Sequence, residues 1–176
     1  MYNVILKKEL CGRILDIGGG GEAVIGRVYG PQVTAIDISA EELAEAPGDF
    51  EKLVMDARRM TFPDNSFDHV TAFYSFLFIP KPDHKLLISE IARVLRPGGA
   101  LHIWDCEVRS AFPEPFTVEL DIDAGGEPIH TSYGIMEQDC VQTAEALIAL
   151  CEQENLRLTQ MQRTENGFFL QFEKVR

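Results

Sequence analysis

The chain has 176 residues, with 28 acidic and 16 basic side chains that give a formal net charge of −12. Its apolar share of 45% excludes collagen, a long coiled coil and general disorder. The acidic balance argues against nucleic-acid binding, which depends on clustered Lys and Arg. No run of 18 apolar residues is present, so we expect no membrane-spanning helix. The length predicts one domain over 1–176, and the absence of a signal-peptide pattern favours a cytoplasmic protein.

The cysteines do not follow a metal-binding or redox pattern. Cys11, Cys106, Cys140 and Cys151 are widely spaced, and none stands in a C-x-x-C pair. A cytoplasmic chain keeps such thiols reduced. We therefore expect free, mostly buried thiols and no metal site.

Strand and helix patterns alternate over the first 105 residues. Short apolar runs, typical of strands buried on both faces of a parallel sheet, cover 13–17, 33–37, 52–56, 68–74 and 100–105. Helical patterns lie between them at 22–29, 39–46 and 82–95. The second of these begins with Ser39 and Glu42 at capping-box spacing. The alternation predicts a doubly wound α/β sheet with right-handed crossovers.

The sequence after residue 105 follows a different pattern. Segment 107–137 is rich in Pro and Gly, and two runs within it, 116–122 and 128–133, predict a hairpin-like insertion with a turn at 123–126. A helix is predicted at 142–154. Segments 156–163 and 168–175 then predict an antiparallel strand pair joined by a turn at 165–167.

A glycine-rich loop, Leu-Asp-Ile-Gly-Gly-Gly-Gly-Glu at 15–22, stands between the first predicted strand and the first predicted helix. Glycines there let a ligand approach the main chain, and the helix start offers free N–H groups. Asp37 and Asp56 end the next two strands, so all three features belong to one edge of the sheet. A carboxylate at 37 can accept both hydroxyls of a ribose, and one at 56 can accept from an adenine amine.

A nicotinamide-dinucleotide site is the alternative interpretation of the loop. Gly18, Gly20 and Ala23 fit G-x-G-x-x-A, and Asp37 stands where a ribose-binding acid is expected. This pattern does not account for the acid that precedes the glycines or for Asp56. The alternative therefore explains less of the arrangement.

The combined motifs resemble those of the class I S-adenosylmethionine-dependent methyltransferases, in particular their small type-11-like domain. The resemblance runs from Ile14 to about Cys106. It rests on Leu-Asp-Ile-Gly-Gly-Gly at 15–20, Val-Thr-Ala-Ile-Asp-Ile-Ser at 33–39, Met-Asp-Ala at 55–57 and Glu-Ile-Ala-Arg-Val-Leu-Arg-Pro-Gly-Gly-Ala-Leu at 90–101. It implies a Rossmann-like, seven-stranded mixed sheet with a C-terminal antiparallel strand pair. It also implies S-adenosylmethionine as cofactor, S-adenosylhomocysteine as product, and methyl transfer by in-line displacement.

The resemblance also assigns residues to the methionine part of that cofactor. The glycines of the loop are expected to pack against it: Gly18, Gly19 and Gly20. Asp16 is expected to orient the loop and the cofactor's amino group. Ala72 and Phe73, at the end of the fourth strand, are expected to line the amino-acid end.

The nucleoside part is assigned in the same way. Asp37 is expected to bind the ribose, and Ile38 to flank the adenine. Asp56 and Ala57 are expected to meet the adenine edge.

Two departures from the family pattern leave the site open to interpretation. Glu22 replaces the usual third glycine, either as a first-turn helix residue favoured by the macrodipole or as a group that contacts the cofactor or narrows the pocket. Few residues precede the first strand, so the site is either open or closed by the 107–137 insertion or by a second subunit of a homodimer. The acceptor is expected to be a small molecule.

No catalytic residue can be assigned from the sequence; the candidates are Tyr74, His130 and Tyr133. His84 is expected to be a solvated residue at a helix start, and His102 a core residue. Three functions stay open: a methyltransferase, a non-enzymatic S-adenosylmethionine-binding or scaffold protein, and an NAD-dependent oxidoreductase.

Overall fold

Two β-sheets and four α-helices make up a computed structural model that describes residues 2–126, 128–164 and 167–175, without the side chain of Tyr2. The strands of the described residues are β1 Tyr2–Ile5, β2 Ile14–Ile17, β3 Val33–Asp37, β4 Glu51–Val54, β5 Phe67–Phe73, β6 Leu95–Cys106, β7 Phe116–Asp123, β8 Ile129–Ile135, β9 Leu156–Arg163 and β10 Gly167–Lys174. The helices are α1 Val24–Tyr29, α2 Ala40–Glu45, α3 His84–Val94 and α4 Ala144–Gln153.

The main sheet has seven strands in the order β4-β3-β2-β5-β6-β10-β9. The first five of these are parallel, whereas β10 runs antiparallel to both β6 and β9. The mixed Rossmann-like sheet with a C-terminal antiparallel pair is therefore confirmed. Strand order reverses at β2, where β3 lies on one side and β5 on the other, and such a point opens a crevice at the carboxyl ends of the strands.

The helices begin two residues later than the sequence predicts, except for α2. Ser39 caps α2, because its Oγ accepts a hydrogen bond of 3.1 Å from the backbone N–H of Glu42. Thr143 caps α4 in the same way, through the N–H of Ala146. Across the described residues, no helix has the length and apolar character needed to cross a membrane.

Apolar side chains pack on both faces of the main sheet. Helices α3 and α4 cover one face, with Leu87 and Leu147 fully or almost fully buried. Helix α1 and the second sheet cover the other face through side chains that include Ile25, Val118 and Ile122. The main sheet is therefore the central layer between two apolar layers.

The second sheet has three strands in the order β1-β7-β8. Strands β7 and β8 form the predicted antiparallel hairpin, and at its turn the N–H of Gly125 donates to Asp123 Oδ1 over 2.9 Å. Strand β1, which the sequence analysis missed, pairs parallel with β7 in the register Tyr2↔Leu120. The hairpin is thus held by the N-terminal strand. The other predicted turn, at 165–167, lies partly outside the described residues.

The prediction for His84 was wrong. Its side chain is only 3% exposed, and its Nε2 lies 2.8 Å from the carbonyl oxygen of Ile79 and 3.2 Å from that of Phe76. The short 3-10 turns Phe76–Phe78 and Lys81–Asp83 fold back over the helix start and bury the ring. His102 is buried in the core, as predicted.

A buried carboxyl group joins three segments near the end of β6. Asp105 accepts hydrogen bonds from the backbone N–H groups of Phe76 (3.0 Å) and Cys106 (2.8 Å) and from Nε2 of Gln142 (2.7 Å). The group is inaccessible to solvent, and this burial raises the pKa of Asp105 to about 7.

Replacing Asp105 by Asn should change the pH dependence of stability. The folded pKa of about 7 lies above that of an exposed Asp, about 4. The folded state therefore binds this proton more tightly, so the wild type loses stability as the pH rises through that window. Because Asn does not titrate, the unfolding free energy of Asp105→Asn relative to wild type should rise by up to about 4 kcal/mol over the window. Urea unfolding of both proteins at several pH values measures this difference.

Comparing the two proteins at each pH removes the contributions of other buried groups. Burial also raises the pKa of Asp16 and lowers the pKa of His69, His84 and His102, but these residues are the same in both proteins. A stability difference that does not change with pH would contradict the prediction.

Candidate functional site

A cavity of about 560 Å³ lies at the carboxyl ends of β2, β3 and β5. Its walls come from the glycine loop, from residues that follow β3 and β4, from the end of β5 and from strand β8 of the small sheet. Cavities of this size hold small organic ligands. The sheet order places the end of β4 at one end of the cavity and the end of β5, with β8, at the other.

The glycine loop packs too closely on its neighbours to carry side chains. The N–H groups of Gly18 and Gly19 both donate to the carbonyl oxygen of Ile36, over 2.9 and 3.2 Å. A Cβ atom on Gly18, whose φ is +69°, would lie 2.8 Å from Ser75 Oγ, and one on Gly19 would lie 2.7 Å from the Cβ of Ala35. The loop therefore presents main-chain atoms to the cavity, through Gly18 and Gly20.

Asp37 lies on the cavity wall beside this loop. Its Oδ1 accepts from the backbone N–H of Ser39 over 2.9 Å, and its Oδ2 accepts from that of Gly20 over 3.3 Å. These bonds orient the carboxylate while leaving it acceptor capacity toward the cavity. Ile38, 72% exposed, presents an apolar side chain next to it.

Asp56 forms an ion pair that the sequence analysis did not foresee. Its carboxylate accepts from Nε (2.9 Å) and Nη2 (2.9 Å) of Arg58, whose Nη1 lies 2.6 Å from Asp83. The hydrogen bonds from Arg58 lower the pKa of Asp56, so the group stays ionised. Asp56, Ala57 and Arg58 together line the β4 end of the cavity.

Three of the predicted site residues lie behind the cavity wall. Asp16 is 3% exposed, accepts a 2.7 Å hydrogen bond from Thr71 Oγ1, and has its pKa raised to about 7 by burial. Gly19 turns toward Asp16, and Ala72 is fully buried in β5. Asp16 therefore supports the loop from beneath, at a distance from the cavity surface.

Aromatic side chains surround the other end of the cavity. This aromatic end consists of Phe73, Tyr74, Phe78 and Tyr133. The ring centroids of Tyr74 and Tyr133 are 5.7 Å apart, those of Phe73 and Tyr74 are 5.1 Å apart, and those of Phe78 and Tyr133 are 5.9 Å apart. Tyr74 adopts a φ of +50°, which is an uncommon and strained value for a bulky residue.

Glu22 connects the glycine loop to the hairpin. Its Oε1 accepts from Thr131 Oγ1, and its Oε2 accepts from the Tyr133 hydroxyl over 3.2 Å. The first-turn interpretation of Glu22 was wrong, because α1 begins at Val24 and its first turn contains no acid. Burial and the neighbouring Glu22 carboxylate raise the pKa of Tyr133, so its phenol stays protonated.

His130, another catalytic candidate, lies away from the cavity. Its side chain is 73% exposed and pairs with Asp121 across the hairpin. Tyr74 and Tyr133, by contrast, both line the cavity. In the described part of the chain, no group of three His, Cys, Asp or Glu side chains is arranged to hold a metal ion.

Comparison with known proteins gives a family match over half of the chain. Residues 15–103 match the family model described as a methyltransferase domain. A methyltransferase structure from Methanosarcina mazei, described as S-adenosylmethionine-dependent, superposes with a TM-score of 0.69 at 21% identity, over 97% of this chain and 94% of that one. At that identity, the superposition shows a shared fold.

Curated relatives match at higher identity but over shorter stretches. Phosphatidylethanolamine N-methyltransferase of Cereibacter sphaeroides is 37% identical over 102 residues, 52% of this chain and 49% of that protein. The 27-O-demethylrifamycin SV methyltransferase of Amycolatopsis mediterranei is 36% identical over 123 residues, 63% of this chain and 43% of that protein. The chain spans about a third to a half of the length of the first curated relatives it matches.

Replacing Glu22 by Ala should loosen the hairpin locally. The variant loses the hydrogen bonds to Thr131 and Tyr133, and hydrogen bonds to a charged group contribute about 1.5–3 kcal/mol. We expect the backbone amides of β8 to exchange about tenfold faster or more. Hydrogen–deuterium exchange followed by mass spectrometry measures this rate.

The matched control is Glu119→Ala, which removes an exposed carboxylate from β7 of the same sheet. The control should leave the exchange rates of β8 unchanged. Equal exchange rates in Glu22→Ala and wild type would show that the hairpin is held without Glu22.

Proposed function

Because the chain belongs to the family of class I S-adenosylmethionine-dependent methyltransferases, we propose that it transfers the methyl group of S-adenosylmethionine to a small-molecule acceptor. The observation that carries this proposal is the cavity, which joins an oriented acceptor carboxylate, Asp37, to an end lined by aromatic side chains. The alternative of a non-enzymatic binding protein shares the cofactor but needs no acceptor region. The aromatic end favours the enzyme.

The chemistry of the cavity fits the nucleoside of this cofactor. The Asp37 carboxylate can accept from both ribose hydroxyls. Ile38 and Met55 offer apolar contact to the faces of an adenine, and Asp56 and Ala57 lie where its edge would meet the wall. We assign the methionine part to the main chain of Gly18 and Gly20 and to Phe73.

The residues behind the wall are assigned a supporting role. Asp16 and Gly19 keep the loop in the shape that exposes its main chain, and Ala72 is fully buried in β5. Their contribution to affinity is therefore indirect.

The bound cofactor supplies an electrophilic methyl group on a positively charged sulfur. The protein's contribution to such a displacement is alignment and exclusion of water, and alignment of two reactants alone can contribute several kcal/mol to catalysis, roughly 7–11 in well-oriented cases. Strand β8 provides Ser132 and Tyr133 as the wall opposite the glycine loop. We propose that the 107–137 insertion acts as a lid within a single domain, with Glu22 holding it in place.

The cellular setting is part of the proposal. Cys106, Cys140 and Cys151 are buried free thiols and Cys11 is an exposed one, which supports a reducing compartment such as the cytoplasm. The net charge of −12 supports a partner other than nucleic acid. Whether a homodimer forms is a separate proposal, which light scattering in solution would test.

Replacing Asp37 by Asn should weaken binding of S-adenosylhomocysteine by about tenfold to a hundredfold. Asn keeps one acceptor oxygen but loses the charge, and a hydrogen bond to a charged acceptor contributes about 1.5–3 kcal/mol. Isothermal titration calorimetry measures the dissociation constant. Asp49→Asn, an exposed acid outside the cavity, is the matched control and should bind like wild type.

The same titration with NAD separates the remaining alternative. Tight binding of NAD with no heat from S-adenosylhomocysteine would overturn the proposed function. Wild-type affinity in Asp37→Asn would overturn the assignment of the ribose to this carboxylate.

A further inference from the structure

The aromatic end of the cavity presents rings at several angles. The planes of Tyr74 and Tyr133 meet at 31°, those of Phe73 and Tyr74 at 62°, and those of Phe78 and Tyr133 at 90°. All four rings line the cavity, so a ligand at this end would contact aromatic surface of several orientations. The face of an aromatic ring carries partial negative charge, and aromatic sites bind organic cations.

The charged groups of the cavity point to the same kind of ligand. Among the described residues that line it, four carry a carboxylate and one, Arg58, carries a guanidinium. Arg58 is paired with Asp56, and the carboxylate of Asp37 faces the nucleoside region. Glu22 is the acid beside the aromatic end, because its carboxylate is hydrogen-bonded to Tyr133.

We infer that the acceptor is an amine, which enters the aromatic end as an ammonium ion and is recognised by the rings and by Glu22. This inference rests on the proposed function and adds the chemical class of its substrate. The hydrogen bonds from Thr131 and Tyr133 hold the Glu22 carboxylate in one orientation, so its remaining lone pairs are available to a cation.

The acid–base groups of the site agree with this substrate class. The described residues that line the cavity include neither His nor Lys, and Tyr133 stays protonated. A hydroxyl acceptor would need a base to remove its proton near attack, whereas an ammonium gives up one proton to water before attack, and the free amine then attacks with its lone pair. A carboxylate acceptor would be repelled by the acids of the wall.

The bonds, electrons and charges of the methyl transfer balance without a further reactant. The nitrogen lone pair forms the new N–C bond as the C–S bond breaks, and the electron pair of that bond stays on sulfur. The sulfur becomes a neutral thioether, and the positive charge moves to the methylated nitrogen. The ammonium product keeps its positive charge at neutral pH, so the one proton released overall is the one that the entering ammonium gave up before attack.

Two probes of the same shape test whether the aromatic end selects a cation. Choline carries a quaternary ammonium, and 3,3-dimethylbutan-1-ol carries a neutral tert-butyl group in its place. Both are titrated into the wild-type chain with saturating S-adenosylhomocysteine, so that the cofactor region is filled. We expect choline to bind about tenfold more tightly than its neutral counterpart.

Variants identify which groups produce the selectivity. Glu22→Gln, which removes the charge and keeps the shape, should bring the two affinities within about threefold of each other. Glu119→Gln makes the same change on the exposed face of β7 and should leave the ratio unchanged. Tyr133→Leu should lower choline affinity, whereas Tyr133→Phe keeps the ring and should retain the selectivity. Thermal unfolding of each variant verifies that it is folded.

The outcomes separate the inference from the proposed function. A chain that fails to bind S-adenosylhomocysteine overturns both. A chain that binds S-adenosylhomocysteine but does not bind choline, or binds both probes equally, overturns the amine acceptor alone. The amine acceptor is also overturned if Glu22→Gln and Tyr133→Leu are both folded and keep the wild-type ratio of choline affinity to 3,3-dimethylbutan-1-ol affinity.

Discussion

The close approach of the glycine loop to strand β3 is the constraint on which the site depends. Two consecutive N–H groups, those of Gly18 and Gly19, share the carbonyl oxygen of Ile36, and the surrounding atoms leave no space for a Cβ at either position. Because these contacts hold the loop close to the end of β3, the N–H of Gly20 donates to the Asp37 carboxylate. The glycines are therefore explained by packing within the protein as well as by access for a ligand, and a substitution in the loop would disturb both. The contacts that shape this edge for a ligand are therefore the same contacts that stabilise it.

The second consequence of that loop is the position of Glu22. The chain leaves the glycines in a turn, in which the Ala23 N–H donates to the Gly20 carbonyl oxygen over 3.2 Å, so α1 starts two residues later than a simple pattern indicates. The Glu22 side chain lines the cavity and accepts from the Tyr133 hydroxyl. The small sheet completes the arrangement. Strand β1 pairs with β7, and β7 pairs with β8, so the wall that carries Tyr133 is tied to the N-terminal segment as well as to Glu22. The described residues of one chain thus supply both the glycine loop and the hairpin wall of the cavity, on the side where the acceptor is proposed to bind.

The sequence was sufficient for the parts of the fold that have local signals. The apolar runs of the parallel strands, the Ser39 cap and the hairpin turn at Asp123 all depend on neighbouring residues, and each is present in the structure.

The features that the sequence analysis missed depend on partners that are distant in the sequence. Strand β1 has only four residues, and it is a strand because it pairs with β7. His84 is buried because the 3-10 turns before it fold back over the helix start. The ion pair of Arg58 with Asp56 and Asp83 joins two segments that only the sheet brings together. The common location of Asp37, Gly18 and Gly20 at one edge could be predicted from the sequence because the carboxyl ends of parallel strands meet at one edge.

Under the proposed function, the positive charge of the ligands gives a physical reason for the carboxylates that line the cavity. With S-adenosylmethionine bound as proposed, the positive charge would reside on its sulfur before transfer; afterwards it would reside on the acceptor, at the aromatic end beside Glu22. The carboxylates of the wall stabilise a cation at both positions, and the Coulomb energy between unit charges a few ångströms apart is about 4 kcal/mol at an effective dielectric constant near 20. The neutral thioether that is left loses this attraction, so product cofactor is held mainly by its nucleoside, through Asp37. The methylated acceptor would keep its charge, and Glu22, held in one orientation by Thr131 and Tyr133, is the carboxylate that would balance it.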